Sequence, residues 1–165
     1  MALEVATVSL ELIHRRRAPF APVAAPAGGA NSTARSLARG SAGSRLHCGN
    51  RGCFEPSGAL VLDQNLQVSA RLHARDMAER NFFAHETPDG VTMLDRMQAA
   101  GFAGCTAGEN IAQGQRSPEE VVESWISSPG HCANILSDNF TGLGVGYFDQ
   151  EDLPQRHLWV QNFGG

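Results

Sequence analysis

Residues 18–46 are rich in Ala, Pro, Gly, Ser and Arg and hold almost no large apolar side chains. Such a segment cannot bury enough surface to offset the entropy lost on ordering, so it reads as a disordered linker or tail. Whatever core this 165-residue chain builds must come from the flanks. Residues 1–45 therefore stand apart as an N-terminal helix and low-complexity extension. Residues 46–165 are long enough for one domain with its own core. Residues 4–17 have the spacing of a short amphipathic helix, with Val5, Val8, Leu12 and Ile13 on one face.

Charge divides along the same line. Residues 1–51 hold seven Arg and two Glu, net +5; residues 52–165 hold six Arg and fifteen acids, net −9; together they give the chain's −4. An acidic domain does not point to nucleic acid as a partner. Every base is Arg, a bias that with abundant Ala, Gly and Pro reflects a GC-rich coding sequence. Glu4 and Glu11 interrupt the first apolar stretch and Arg15-Arg16-Arg17 follows it, which is not the order of a secretory signal. No apolar run is long enough to span a bilayer.

Past residue 46 the punctuation is clearer. Asp63 is a fitting N-cap for a helix running to about Arg80, with Leu66, Ala70, Ala74 and Met77 at helical spacing. Asn81 suits its C-terminal turn. Thr87-Pro88-Asp89-Gly90 is a turn, and Thr92 with Asp95 opens a short helix as a capping box that Gly101 ends. Glu109 to Ala112 reads as a strand. Ser117-Pro118-Glu119-Glu120 starts a helix that reaches Ser127 and stops at Pro129-Gly130. Leu143–Phe148 and Leu158–Phe163 read as the strands of an antiparallel hairpin. Helices and strands mix without βαβ alternation, so the fold class is α+β.

Three polar residues sit in turn-rich settings: His85 after Phe82-Phe83-Ala84, Glu109 in Gly108-Glu109-Asn110, and His131 after Ser128-Pro129-Gly130. Two imidazoles and a carboxylate can hold a divalent metal or move protons. Taken singly each has a plainer reading, as a surface, loop-holding or turn residue. His73 shares the helix face of Leu66, Ala70 and Met77 and reads as a hydrogen-bonded core histidine; Trp125 and Trp159 read as core. There is no Gly-x-Ser-x-Gly elbow and no phosphate-binding loop. His85-Glu86-Thr87-Pro88-Asp89 is not a zinc-protease helix, because Asp89 stands where the second His belongs and Pro88 breaks the helix.

The four cysteines, Cys48, Cys53, Cys105 and Cys132, allow three pairings. A Cys105–Cys132 bridge would fasten two of the site segments together and leave Cys48–Cys53 to close locally; four free thiols are the other reading. Disulfides imply an oxidising compartment.

Longer runs carry a resemblance. Leu72-His73-Ala74-Arg75-Asp76-Met77-Ala78-Glu79-Arg80-Asn81-Phe82-Phe83-Ala84-His85, Gly108-Glu109-Asn110-Ile111-Ala112, Ser128-Pro129-Gly130-His131-Cys132-Ala133-Asn134-Ile135-Leu136, Gly144-Val145-Gly146 and Trp159-Val160-Gln161 occur in this order. Together they resemble the bacterial branch of the CAP superfamily (SCP-like), over roughly residues 46–165. The resemblance implies an α-β-α sandwich around a central antiparallel sheet, with His85, Glu109 and His131 in its cleft. It implies a secreted or cell-envelope monomer, no defined reaction, and a cleft for zinc or another divalent cation on His85, His131 and Glu109. A small apolar ligand, a sterol or fatty acid, is the other occupant it suggests. A metal-assisted hydrolase with Glu109 as general base is the alternative function, and a structural, interaction or lipid-carrying module a third. Ser128 stands where many eukaryotic members carry a second Glu, with Glu86 and Glu123 nearest to replace it. Residues 4–17 would match the family's first helix, with residues 18–46 as an insertion behind it.

Overall fold

The computed structural model describes residues 2–17, 46–55, 57–154 and 156–165. The linker expected over residues 18–46 lies almost wholly outside them. The first helix, α1 (Ala2–Arg17), is followed by two two-residue strands, β1 (Leu46–His47) and β2 (Cys53–Phe54), which pair antiparallel around a 3-10 turn. Then come β3 (Val61–Leu62), α2 (Gln64–Glu79), α3 (Met93–Ala99), β4 (Ala107–Gln113), α4 (Pro118–Ser127), α5 (Pro129–Leu136), β5 (Gly142–Phe148) and β6 (Leu158–Gly164).

The main sheet has the order β3-β5-β6-β4. β5 and β4 each run antiparallel to β6 over seven residue pairs, while β3 adds two parallel pairs on β5. The expected hairpin is therefore present, and the sheet is mixed only at its short β3 edge. Alternation along the strands sorts the core into two layers. On one side Ala70, Ala74, Met77 and Ala78 of α2 pack against Ile111, Leu158 and Val160. On the other, α1, α4 and α5 contribute Ile13, Val121, Trp125, Cys132 and Ile135, packed against Leu143, Val145, Trp159 and Phe163. The result is the α-β-α sandwich. α2 lies so close to β5 that a Cβ at Gly144 or Gly146 would run into the backbone of Leu66 or Ala70. Glycine at these two positions sets the helix–sheet separation.

Local signals fold as they read. Asp63 Oδ1 accepts from the N–H groups of Asn65 and Leu66 and starts α2; Asn81, at φ 53°, turns the chain out of it. Thr92 and Asp95 form the capping box of α3, and Ser117 caps α4 through the Glu120 N–H. Both tryptophans are core residues that satisfy their indole N–H, Trp125 on Ile111 O at 3.2 Å and Trp159 on Gln115 O at 2.7 Å.

The helix capped by Ser117 stops at Ser127 as read, and Pro129 then opens a further helix, α5, at a position where its missing N–H is not needed. Two expectations need correction. The buried face of α1 is Ala6, Ser9, Ile13 and Arg17 rather than the stripe of Val5, Val8 and Leu12. Arg17 belongs there because its guanidinium donates to four carbonyls: Gly58 O at 2.6 Å, Ile135 O at 2.9 Å, Ser137 O at 3.1 Å and Phe140 O at 3.2 Å. Gly58 lies before β3, and the other three lie at the end of α5 and in the loop from it to β5, so one side chain ties two segments to α1.

The disulfide is the second. Cys48 pairs with Cys132, with Cα atoms 5.5 Å apart, and neither the Cys105–Cys132 nor the Cys48–Cys53 bridge forms. The small hairpin explains it. Cys53 lies directly opposite His47 on the exposed face, whereas Cys48, one residue on, turns inward against α5. Cys105 is exposed in the loop before β4, where its N–H donates to Gly165 O at 2.8 Å.

Candidate functional site

β4 is an outer strand of the main sheet, so residues from the helical layers on both faces can reach round its edge. Glu109 is on β4, opposite Asn162 of β6, and its carboxylate points to the α2 side. The side chain is fully buried yet has partners on both oxygens. His85 Nδ1 donates to Oε1 at 2.9 Å. Arg96 donates to Oε2 at 2.7 Å. With its amide nitrogen turned to the carboxylate, Asn162 donates to the same Oε2 at 2.9 Å while its oxygen accepts from Ser69 Oγ at 3.0 Å and Ala70 N–H at 3.2 Å. The reverse orientation would set amide oxygen against carboxylate oxygen.

Arg96 does more than neutralise Glu109. Its other nitrogen donates to His85 O at 2.8 Å and Val91 O at 3.2 Å, which pins the loop that carries His85 onto α3. His85 itself is half exposed, and with Nδ1 engaged its Nε2 is left for the cleft. The cleft encloses about 420 Å³ and is lined by His85, Glu86, Met93, Gly108, Glu109 and Asn134, among others.

His131 comes from the other layer, at the third position of α5. Asn110, the neighbour of Glu109 on β4, faces that layer and donates to His131 O at 3.2 Å and to Gln161 Oε1 at 3.1 Å. Asn134 donates to Asn110 Oδ1 at 2.9 Å and Glu109 O at 3.3 Å. A floor of amides therefore sets the height of α5 against β4. Burial, reinforced by the nearby His85, pushes the His131 imidazole below its ordinary pKa.

His73 is a buried core histidine, as its helix position suggested. Nε2–H donates to Ala84 O at 3.0 Å and lies 4.0 Å from Glu109 Oε1. Burial pushes its pKa below 6.5, with Glu109 opposing. His73 and His131 together give stability a pH dependence. In the unfolded chain both take a proton near pH 6.5, but in the folded protein only at lower pH. The folded state binds fewer protons, so stability is full above pH 6.5 and is lost as pH falls through the folded values. Urea midpoints should decline from pH 7 to pH 5, with a shallower decline in His131→Gln; a flat wild-type profile would contradict this.

Sequence reasoning thus finds His85, Glu109 and His131 at one end of the sheet. It misses Arg96, Asn162 and Ser69, which carry no local signal: the β4–β6 register brings Asn162 opposite Glu109, and the packing of α2 and α3 brings Ser69 and Arg96. Among the described residues no group of three or more His, Cys, Asp or Glu is placed to hold a metal ion. Both Glu109 oxygens are held, by Arg96, Asn162 and His85. Of the stand-ins for a second carboxylate, Glu123 pairs with Arg16 at 3.0 Å on α1, while Glu86 lines the cleft. Among the described residues no helix is long and apolar enough to cross a membrane.

Comparison with known proteins agrees with this architecture. Residues 56–163 match the model of the cysteine-rich secretory protein (CAP) family. Protein YkwD of Bacillus subtilis (strain 168) is 44% identical over 106 residues, 64% of this chain and 39% of its own. Membrane protein YlbC of the same strain is 34% identical over 104 residues, 63% of this chain and 28% of its own. The chain thus spans well under half the length of these relatives. Among solved structures, an extracellular protein containing an SCP domain from Bacillus anthracis str. Ames aligns with TM-score 0.60 and 35% identity, covering 66% of this chain and 34% of its own. An outer surface protein of Borrelia burgdorferi shares the fold at TM-score 0.60 and 22% identity, covering 66% of this chain and 78% of its own. By its motifs, its sandwich and this match, the chain belongs to the cysteine-rich secretory protein (CAP) family.

Proposed function

We propose that the domain is an exported binding module whose cleft takes a divalent cation on the imidazoles of His85 and His131, with Glu109 acting behind His85. The observation that carries this reading is the 2.9 Å bond from His85 Nδ1 to Glu109 Oε1. A carboxylate behind a histidine fixes the tautomer, turns the other nitrogen outward and raises its basicity, the usual outer shell of a zinc ligand. The lowered pKa of His131 supports the same reading, since only the neutral ring can ligate. The donor set suits two protein ligands with remaining positions left to water or a small anion. When bound, the cation would supply a positive, Lewis-acidic anchor point. Export is supported by the Cys48–Cys132 bridge and by the extracellular B. anthracis relative.

The hydrolase reading has less support. A general base must reach the proton it removes, and the Glu109 side chain is fully buried with both oxygens engaged.

Calorimetric titration with zinc at pH 7.5 tests the proposal. The His85→Ala/His131→Ala double variant should lose binding, and Glu109→Gln should weaken it about 10–100-fold through the lost orienting contact. Affinity should fall on acidification as the rings protonate. Zinc binding that survives in the double variant would sink the reading.

A further inference from the structure

β4 is the last strand on its side of the sheet, so one of its two backbone edges lies outside the ladder. The register tells which residues face that edge. Thr106 N–H donates to Gly165 O at 3.0 Å and Gly165 N–H returns to Thr106 O at 3.1 Å, while Gly114 N–H donates to His157 O at 3.1 Å. Bonded and non-bonded pairs alternate in an antiparallel ladder, so Gly108, Asn110 and Ala112 also bond toward β6. Ala107, Glu109, Ile111 and Gln113 turn their N–H and C=O groups to the free edge.

Part of that edge is already capped. Asn134 Nδ2 donates to Glu109 O at 3.3 Å, and Trp125 Nε1 donates to Ile111 O at 3.2 Å. Side chains of α5 and α4 thereby take the place of a neighbouring strand and close the edge at Ile111. Nearer the start of β4 the Ala107 N–H, the Ala107 C=O and the Glu109 N–H have no hydrogen-bond partner among the described residues. Ala107 is half-buried and Glu109 buried, a setting in which backbone groups are almost always paired. Asn134 adds an acceptor beside them. Its amide hydrogens are engaged by Glu109 O and Asn110 Oδ1, which leaves its own Oδ1 spare.

These groups open into the cleft. Ala107, Gly108, Glu109 and Asn134 line it, together with Thr92 and Met93 from the start of α3. Val91 and Leu94, the sequence neighbours of that last pair, are 39% and 41% exposed, so this wall is apolar. A small ligand can satisfy one of the unpaired groups. The run N–H, C=O, N–H, spread over about 7 Å from Ala107 to Glu109, is the hydrogen-bonding face of a β-strand.

We infer that an extended polypeptide segment of another protein adds to the free edge of β4, accepting from the Ala107 and Glu109 N–H groups and donating to Ala107 O. An apolar side chain of the segment lies toward Met93. In this mode main-chain bonds supply affinity and alternate side chains supply specificity. The caps at Glu109 O and Ile111 O restrict the edge to a short segment and protect the rest of it from unwanted pairing. The inference rests on the cleft being a binding site but not on the cation.

The test uses the full chain in EDTA, so that metal plays no part, and a library of fluorescein-labelled, amidated pentapeptides read by anisotropy. In the tightest binder, N-methylation of the amide that faces Ala107 O should weaken binding about tenfold or more, while methylation one residue to either side is tolerated. That two-residue period is the signature of strand pairing. Ala107→Pro removes an N–H that the ladder does not use, which an edge strand tolerates. It should keep the wild-type urea midpoint and weaken peptide binding about tenfold or more. Hydrogen exchange at the Ala107 and Glu109 amides should slow when peptide is added, with Gly108 and Asn110 unchanged. The inference is overturned if no pentapeptide binds, if methylation is tolerated at every position, or if Ala107→Pro binds normally. Should Ala107→Pro lower the urea midpoint, the methylation and exchange series decide alone. A dimer in sedimentation that is lost in Ala107→Pro would make a second copy the occupant and overturn it as well. Peptide binding in EDTA without any zinc binding would sink the cation reading and leave this one standing; zinc binding without peptide binding would do the reverse.

Discussion

Arg17→Ala should lower the unfolding free energy by about 4 kcal/mol, the largest effect expected of any single surface-to-core substitution in α1. Arg17 is 1% exposed, and its guanidinium donates to four carbonyls from two segments of the chain. Removing it leaves those acceptors in a space that the aliphatic stem also helped to fill. Bonds from a charged donor contribute about 1.5–3 kcal/mol each when broken singly, and water entering the gap recovers part of the sum. Burial pushes the Arg17 pKa down, but a guanidinium starts so high that it stays charged at any working pH. With a urea slope of about 2 kcal/mol/M, the midpoint should drop by about 2 M. Arg17→Lys should recover only part of the loss, because one ammonium cannot address four acceptors spread around a planar fork. A midpoint shift under 0.5 M for Arg17→Ala (about 1 kcal/mol on the same slope) would mean that α1 is dispensable to the domain.

Breaking the Cys48–Cys132 bridge should be comparably severe. The two residues are 84 apart in sequence, and on the chain-entropy model closing such a loop stabilises by about 4–5 kcal/mol. The Cys48→Ser/Cys132→Ser double variant should show this as a lower urea midpoint, and reductant should bring wild type to the same value. Cys53→Ser and Cys105→Ser should change little, since both thiols are exposed and unbridged. The single-cysteine variants separate this pairing from its rivals: a large loss in Cys105→Ser would revive the Cys105–Cys132 bridge.

The two effects show where sequence reasoning reaches and where it stops. Helix caps are local, so Asp63, Thr92 and Ser117 could be read at once, and the alternation of β5 and β6 was legible for the same reason. The buried Arg17 was not legible, because Arg at a helix end ordinarily marks solvent, and only two distant segments that meet it supply its acceptors. The cysteine pairing turned on which side of a two-residue strand each thiol faces, a one-residue distinction that spacing does not encode. At the cleft, His85, Glu109 and His131 stood out through their turn-rich flanks and their resemblance to a known family. Arg96 and Asn162 did not, because their part in the site depends on tertiary pairing to Glu109.

Glu109 and Asn110 are adjacent on β4, yet one is wired to the layer of α2 and the other to the layer of α5. A strand turns successive side chains to opposite faces, so slipping β4 by one residue would exchange the two. The amide would then meet Arg96 and the carboxylate would meet the carbonyl of His131. The seven pairs between β4 and β6 therefore act as a ruler as well as a scaffold. They set which of the two imidazole-bearing segments receives a charge and which receives a neutral tether. An insertion or deletion within β4 would leave the composition of the cleft unchanged and still scramble its wiring.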